Sequence, residues 1–204
     1  MDTEEIILPF EGKRFFQDRR SMAVSGISQL LYEASIKDER ENITLLEAGC
    51  GAGIVSVMTA LSRPDWRITG IDIQPELIDL ACKNAALSEV EIDFLVSDII
   101  THQGKYDLII SNPPWRKQDS GRKSPHHSRN ISRFEILCGM DDILSLISRC
   151  LKDSGKAILI YPIERLDELL EKAKNSGLDI ITNVVRTGTK AFFIATLSME
   201  NQYE

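Results

Sequence analysis

Two kinds of apolar pattern alternate along the chain. Short runs that are apolar at almost every position, such as ITLLEA at 43–48, YDLIIS at 106–111 and AILIYP at 157–162, predict strands buried on both faces. Between them lie segments with apolar residues every three or four positions, the spacing of a helix with one buried side. Met22, Val24, Ile27, Leu30, Leu31 and Ala34 predict a leading helix over 16–36, closed by the polar stretch KDEREN. A strand at 43–49 ends in glycines and leads to a helix over 53–62, which Arg63-Pro64 stops. The unit recurs as a strand at 67–73 with a helix at 75–87, a strand at 91–98 and another at 106–112. A loop over 113–130 precedes a helix near 133–151, a strand at 156–162, a helix at 164–176 and strands near 178–186 and 190–198. Thr187-Gly188 between the last two predicts a tight antiparallel turn. Strands alternating with helices define an α/β fold: a doubly wound, seven-stranded, mostly parallel sheet with its last strand antiparallel. In such a sheet ligands bind at the carboxyl ends of the strands.

Composition narrows the class without changing the fold. The 204 residues suit a single domain, and 43% hydrophobic with 27% charged residues excludes a disordered, fibrous or coiled-coil chain. No apolar run approaches the roughly 20 residues of a membrane span. The opening MDTEEIILPF is acidic where a secretory signal is basic, so a cytoplasmic protein without membrane contact is expected. Cys50, Cys82, Cys138 and Cys150 form no Cys-x-x-Cys pair and have no His at ligand spacing, which predicts buried reduced thiols and no metal. The net charge of −7 is unevenly spread. Residues 116–133 hold six Lys/Arg against one Asp, a net of +5, and residues 13–20 hold four against one, a net of +3.

Candidate chemistry falls at the predicted strand ends. Glu47-Ala-Gly49-Cys-Gly51-Ala-Gly53 follows the first strand of the sheet, so backbone there can approach a ligand with no Cβ in the way. Ile54 stands where a G-x-G-x-x-G nicotinamide fingerprint needs Gly or Ala, which weakens the dinucleotide reading. Asp72, 19 residues after Gly53, ends the second strand and can accept both hydroxyls of a ribose. Asp98 ends the third and can accept from the exocyclic amine of an adenine, with Ile73 and Ile99 as apolar faces for the ring. A glycine loop and two acids on three successive strands describe a site for an adenosine-containing ligand.

The pattern ExGxGxG, then GxD, then xxD resembles class I S-adenosylmethionine-dependent methyltransferases over about residues 43–162. The resemblance implies S-adenosylmethionine as cofactor, with its amino-acid part on the glycine loop, Asp72 on the ribose and Asp98 on the adenine. It also implies that Glu47 sits near the methionine ammonium or orders the loop. Residues 1–42 are then expected as a helical segment covering the cofactor site, and 43–204 as the methyltransferase domain.

Asn112-Pro113-Pro114-Trp115, at the end of the fourth strand, resembles the Asp/Asn/Ser-Pro-Pro-Tyr/Phe/Trp signature of methyltransferases that modify a planar, conjugated NH2 group. Such a nitrogen shares its lone pair with its π system. The Asn112 side-chain oxygen and the Pro113 carbonyl, accepting from its two N–H bonds, would favour a pyramidal nitrogen aimed at the methyl group. Prolines fix that backbone and offer no competing N–H, and Trp115 offers a stacking face. The basic loop that follows supplies Arg116, Lys117, Arg122, Lys123, Arg129 and Arg133, expected to grip phosphates around an extruded base.

The front of the chain, FEGKRFFQDRRSMAVSGISQLL, together with NPPW, the basic loop and SRFE, is similar to bacterial tRNA adenine-N6 methyltransferases acting on valine tRNA. That resemblance implies RNA, most directly tRNA, as partner and a monomer or weak homodimer. Trp115 departs from the Tyr or Phe usual in that family. The tetrapeptide alone also admits adenine or guanine amines of rRNA and glutamine side chains of proteins.

Overall fold

Residues 2–8, 10, 12–19, 26–115 and 138–200 are described in the computed structural model. Their order is β1 (Thr3–Ile7), β2 (Arg14–Asp18), α1 (Gly26–Ser35), β3 (Thr44–Ala48), α2 (Ile54–Ser62), β4 (Arg67–Asp72), α3 (Pro75–Ser88) and β5 (Asp93–Val96). Then come β6 (Tyr106–Ser111), α4 (Met140–Cys150), β7 (Leu151–Pro162), a one-turn 3-10 helix (Ile163–Arg165), α5 (Leu166–Asn175), β8 (Leu178–Thr187) and β9 (Lys190–Met199).

The apolar runs became the central strands because helices cover both faces. Leu45, Leu108, Ile110, Ile158 and Ile160 point into one core with Leu31, Val57, Met58 and Ile78. Their neighbours Leu46, Ile109, Ala157, Leu159 and Tyr161 point into the other, with Ile143, Leu144 and Ile147 of α4 and Leu169 of α5. The seven strands lie in the order β5-β4-β3-β6-β7-β9-β8. Neighbours are parallel except at β9, which runs antiparallel to both β7 and β8. The predicted seven-stranded sheet with an antiparallel last strand is therefore observed. Register Thr187↔Lys190 leaves a two-residue turn between β8 and β9, with Gly188 at φ +58.

The chain steps from β3 outward to β4 and β5, then crosses back to place β6 on the other side of β3. Strand order reverses between β3 and β6, and the crevice of such a sheet opens there, at the carboxyl ends. Asp107 secures the far end. Its Oδ2 accepts from the Thr44 N–H at 2.8 Å, the Thr44 hydroxyl at 2.7 Å and the Lys152 ammonium at 2.8 Å, joining β3, β6 and β7.

Several expectations are corrected. Residues 16–18, expected inside the leading helix over 16–36, belong to β2, which pairs antiparallel with β1, and α1 is described over Gly26–Ser35. The expected start at residue 16 failed because β2 is bound to β1 by a ladder and by the Arg14–Glu5 ion pair, which local periodicity does not encode. The N-terminal segment is thus a hairpin followed by a helix, rather than helical throughout. Three cations of its basic cluster are paired: Arg14 with Glu5 at 2.6 Å, Arg19 with Glu4 at 3.6 Å and Lys13 with Glu89 at 2.8 Å. β7 starts at Leu151 rather than 156, directly after α4. All four cysteines are free thiols, but Cys82 is exposed on α3 and Cys138 only partly buried, whereas Cys50 and Cys150 are buried as expected.

Candidate active site

Two loops meet at the crevice. The first leaves β3 and turns back on β4, where the N–H groups of Gly49 and Cys50 both donate to the Ile71 carbonyl at 2.8 and 2.9 Å. Gly49 and Gly51 have φ of +74 and +56, and open space lies where a Cβ would stand, so the loop offers bare backbone as a cradle. Gly53 has a different reason to be glycine. A Cβ there would lie 2.6 Å from the Phe94 ring and 3.1 Å from Ala81.

Gly53 also precedes α2 and has no side chain to cap it. Glu47, the penultimate residue of β3, takes over: its Oε2 accepts from the Ser56 N–H at 2.8 Å and from the Ser56 hydroxyl. Of the two roles raised for Glu47, ordering the loop is the one this geometry displays. Burial pushes its carboxyl up to about 7, against the Ser56 bonds, which pull it down. Burial likewise pushes the Cys50 thiol well up, so it carries no thiolate character at neutral pH.

Asp72 ties the cradle to the second strand. One carboxylate oxygen accepts from the Gly51 N–H at 2.9 Å, the other from the Gln74 N–H at 2.9 Å. The carboxyl is buried, and burial raises its pKa against its hydrogen bonds from the Gln74 and Gly51 backbone, the Gln74 side chain and the Ile73 backbone. Asp98 follows β5, half-buried, with Oδ1 accepting from the Ile100 N–H at 2.9 Å. Ile73 is partly exposed, at 37%, and Ile99 leans on the α4 side of the core.

The turn carrying Asp98 and Ile99 is fastened from behind by residues that the sequence reading passed over. Arg149 of α4 donates to the Ile99 carbonyl at 2.9 Å and to the His102 carbonyl at 3.0 Å. The His102 ring bridges the Ser97 hydroxyl at 3.1 Å and the Tyr106 hydroxyl at 3.0 Å. Burial, reinforced by Arg149, holds the His102 imidazole below its ordinary pKa. No local periodicity flags either residue.

The second loop leaves β6 at Ser111, whose hydroxyl donates to the Ala48 carbonyl at 2.7 Å and so binds the two strand ends together. Asn112 follows at once. Its Oδ1 is buried and has no hydrogen-bond partner among the described residues. Pro113 is buried, Pro114 half-buried, and the Trp115 ring packs edge-on against Phe192 with centroids 6.4 Å apart. Arg165, another residue the sequence reading passed over, donates to the Trp115 carbonyl at 2.9 Å. Glu47, Gly49, Gly51, Gly53, Asp72 and Asn112 thus gather around one crevice. The six cations Arg116, Lys117, Arg122, Lys123, Arg129 and Arg133 lie outside the described residues.

The sequence profile of the methyltransferase small domain matches residues 24–128. The chain belongs to that methyltransferase family. A protein of Actinobacillus pleuropneumoniae serotype 7 named tRNA1(Val) (adenine(37)-N6)-methyltransferase is 30% identical over 190 residues, which cover 89% of this chain and 77% of that one. The release factor glutamine methyltransferase of Streptococcus pneumoniae is 31% identical over 159 residues, 74% of this chain and 57% of the relative. The chain therefore spans little more than half the length of that second relative. A crystal structure of a methyltransferase from Pyrococcus furiosus superposes with a TM-score of 0.70 at 17% identity, covering 94% of this chain and 91% of the other, and so shares the fold.

S-adenosylmethionine is the cofactor of this methyltransferase, and the residues present fit it. The open backbone at Gly49 and Gly51 gives room for the amino-acid part. The Asp72 carboxylate at the end of β4 suits ribose hydroxyls, and the exposed edge of Ile73 beside the Asp98 turn suits an apolar ring with one polar edge. Among the described residues, no group of three or more His, Cys, Asp or Glu could hold a metal ion, and no helix is long and apolar enough to cross a membrane.

Proposed function

We propose that this methyltransferase acts on the exocyclic amine of a nucleobase, N6 of an adenine in tRNA, as a cytoplasmic monomer or weak homodimer. The observation that carries the reading is Asn112 Oδ1, a buried acceptor without a partner among the described residues, held beside the glycine loop by the Ser111–Ala48 bond. A buried carbonyl oxygen left unpaired costs stability unless a ligand completes it. An NH2 group is the ligand chemistry that does so.

When bound, S-adenosylmethionine supplies an electrophilic methyl group on a sulfonium. Asn112 Oδ1 and the Pro113 carbonyl accept from the two N–H bonds of the acceptor, which turns its lone pair out of conjugation. Trp115 keeps exposed area beyond its contact with Phe192, on which a planar base can stack. No side chain is needed as a base, because the product sheds its extra proton to water after transfer; positioning carries the rate. Arg116, Lys117, Arg122, Lys123, Arg129 and Arg133 grip phosphates around the extruded base. Residues 1–42 cover the cofactor side, a role favoured by Asn84 of α3, which bonds both the Phe16 backbone and the Ala52 carbonyl of the glycine loop.

Both relatives modify a planar NH2 group by name, one on adenine and one on glutamine. The net +5 of residues 116–133 favours the polyanion. Asn112→Ala is expected to bind S-adenosylmethionine as tightly as the parent in calorimetry while single-turnover methylation of tRNA falls about a hundredfold or more. Unchanged turnover would remove Asn112 from the reaction.

A further inference from the structure

Pro113 and Pro114 leave the acceptor loop with a mechanical problem. Neither has an N–H, so two successive residues cannot be tethered by donating to the rest of the fold. Such a loop is held through its carbonyls or its packed side chains. Trp115 uses both means: its ring lies against Phe192, and its carbonyl accepts from the guanidinium of Arg165 at 2.9 Å.

Arg165 is unusual for an arginine in being 7% exposed. It ends the one-turn helix that follows β7, the strand paired with β6 in register Ser111↔Leu159, so the loops after the two strands are side by side. Its Nε and Nη2 meet the two carboxylate oxygens of Glu168 at 2.9 and 3.0 Å. The guanidinium carbon also stands 5.8 Å from the centre of the Tyr161 ring. A planar fork clamped to a carboxylate and set over an aromatic ring has little freedom to turn, so its Nη1 is held on the Trp115 carbonyl. Burying a charge is costly, and surface ion pairs achieve helix anchoring without it. What this burial provides is a fixed, charged donor on the one backbone carbonyl that closes the Asn112–Trp115 loop.

We propose that Arg165, held by Glu168, is a positioning residue for methyl transfer: it sets the pitch of the Asn112–Trp115 loop and so aims Asn112 Oδ1 at the acceptor. The inference rests on the reading of Asn112 as the amine-holding group. Arg165 does not contact the reacting atoms; it acts through the Trp115 carbonyl.

The chain has two tryptophans, which gives a readout independent of activity. With 5-fluorotryptophan incorporated, the fluorine spectrum has one signal from Trp115 and one from Trp66, a buried residue just before β4 at the opposite end of the sheet. In Arg165→Met the Trp115 signal is expected to shift or broaden while the Trp66 signal stays, certifying the fold. Single-turnover methylation should fall about tenfold to a hundredfold with S-adenosylmethionine affinity within about twofold of the parent, the pattern of a misplaced group rather than a lost cofactor site. Arg165→Lys, which keeps the charge but not the fork, should recover part of the rate. If the Trp66 signal shows that Arg165→Met fails to fold, Glu168→Gln answers the same question by freeing the guanidinium in place, with a smaller change in the same direction. A Trp115 signal that does not move, or one that moves while turnover stays within about twofold of the parent, overturns the proposal. Asn112→Ala, assayed in parallel, separates the two claims: if it retains turnover the amine-holding reading fails, whereas loss in Asn112→Ala without loss in Arg165→Met fails Arg165 alone.

Discussion

Glu47→Gln isolates the energetic consequence of capping a helix with a buried carboxyl. In the folded chain burial raises the Glu47 carboxyl to about 7, whereas an ordinary glutamate stands at 4.5. The native state therefore holds the proton more tightly than the unfolded chain does. Stability from this group is complete below pH 4.5 and is lost as pH rises to about 7. At about 1.4 kcal/mol per tenfold change in proton affinity, the raised pKa of Glu47 costs the fold about 3 kcal/mol at pH 8, but only about 1 kcal/mol at pH 5, where the native carboxyl still holds its proton. Glutamine retains an acceptor for the Ser56 N–H and does not titrate. Urea unfolding of parent and variant at pH 5, 6, 7 and 8 should thus give a stability difference that moves in favour of Glu47→Gln by about 2 kcal/mol across the series. Any constant cost of the substitution cancels from that slope. Parallel stability curves would show that Glu47 titrates normally and that its burial carries no such cost.

Two further substitutions test how the cofactor side is held. Arg149→Met removes the donor on the Ile99 and His102 carbonyls, so S-adenosylmethionine affinity should weaken about tenfold with the acceptor KM unchanged; equal affinity in calorimetry would deny the Asp98 turn its support from α4. Asn84→Ala releases Phe16 and Ala52 together, so amide exchange in β2 should accelerate while β3 and β6 stay protected, at a cost of about 1–3 kcal/mol in stability. Unaltered exchange at Phe15 to Gln17 would mean that the hairpin is held by its own ladder alone.

What the sequence made legible follows from where the information lies. TLLEA, YDLIIS and AILIYP are apolar on both faces because both faces are covered, so each run announces a central strand without help from the rest of the chain. Glycines at 49, 51 and 53, the acids at 72 and 98, and Asn112 sit at strand ends that the sheet itself brings together, so motif and topology agreed in advance. The β1–β2 hairpin was hidden because TEEII and RFFQD reveal their match only once Glu5, opposite Phe16, reaches diagonally to Arg14. Asn84, His102, Arg149 and Arg165 were hidden for a related reason. Asn84, Arg149 and Arg165 bond backbone far along the chain, from 32 residues away for Asn84 on Ala52 to 68 for Asn84 on Phe16, and the His102 ring bridges two hydroxyls on either side of it; none of these bonds leaves a periodic trace. Glu47 was visible as a residue but divided between two roles until Ser56 was seen to occupy it.

Whether the acceptor is a tRNA adenine is tested most directly by transfer of tritium from labelled S-adenosylmethionine to tRNA, rRNA, DNA and protein fractions from cells lacking this gene, followed by chromatography of the labelled nucleosides or amino acids. The account predicts label in tRNA as N6-methyladenosine, abolished by Asn112→Ala. Label in protein as methylglutamine, or in no macromolecule at all, would contradict it.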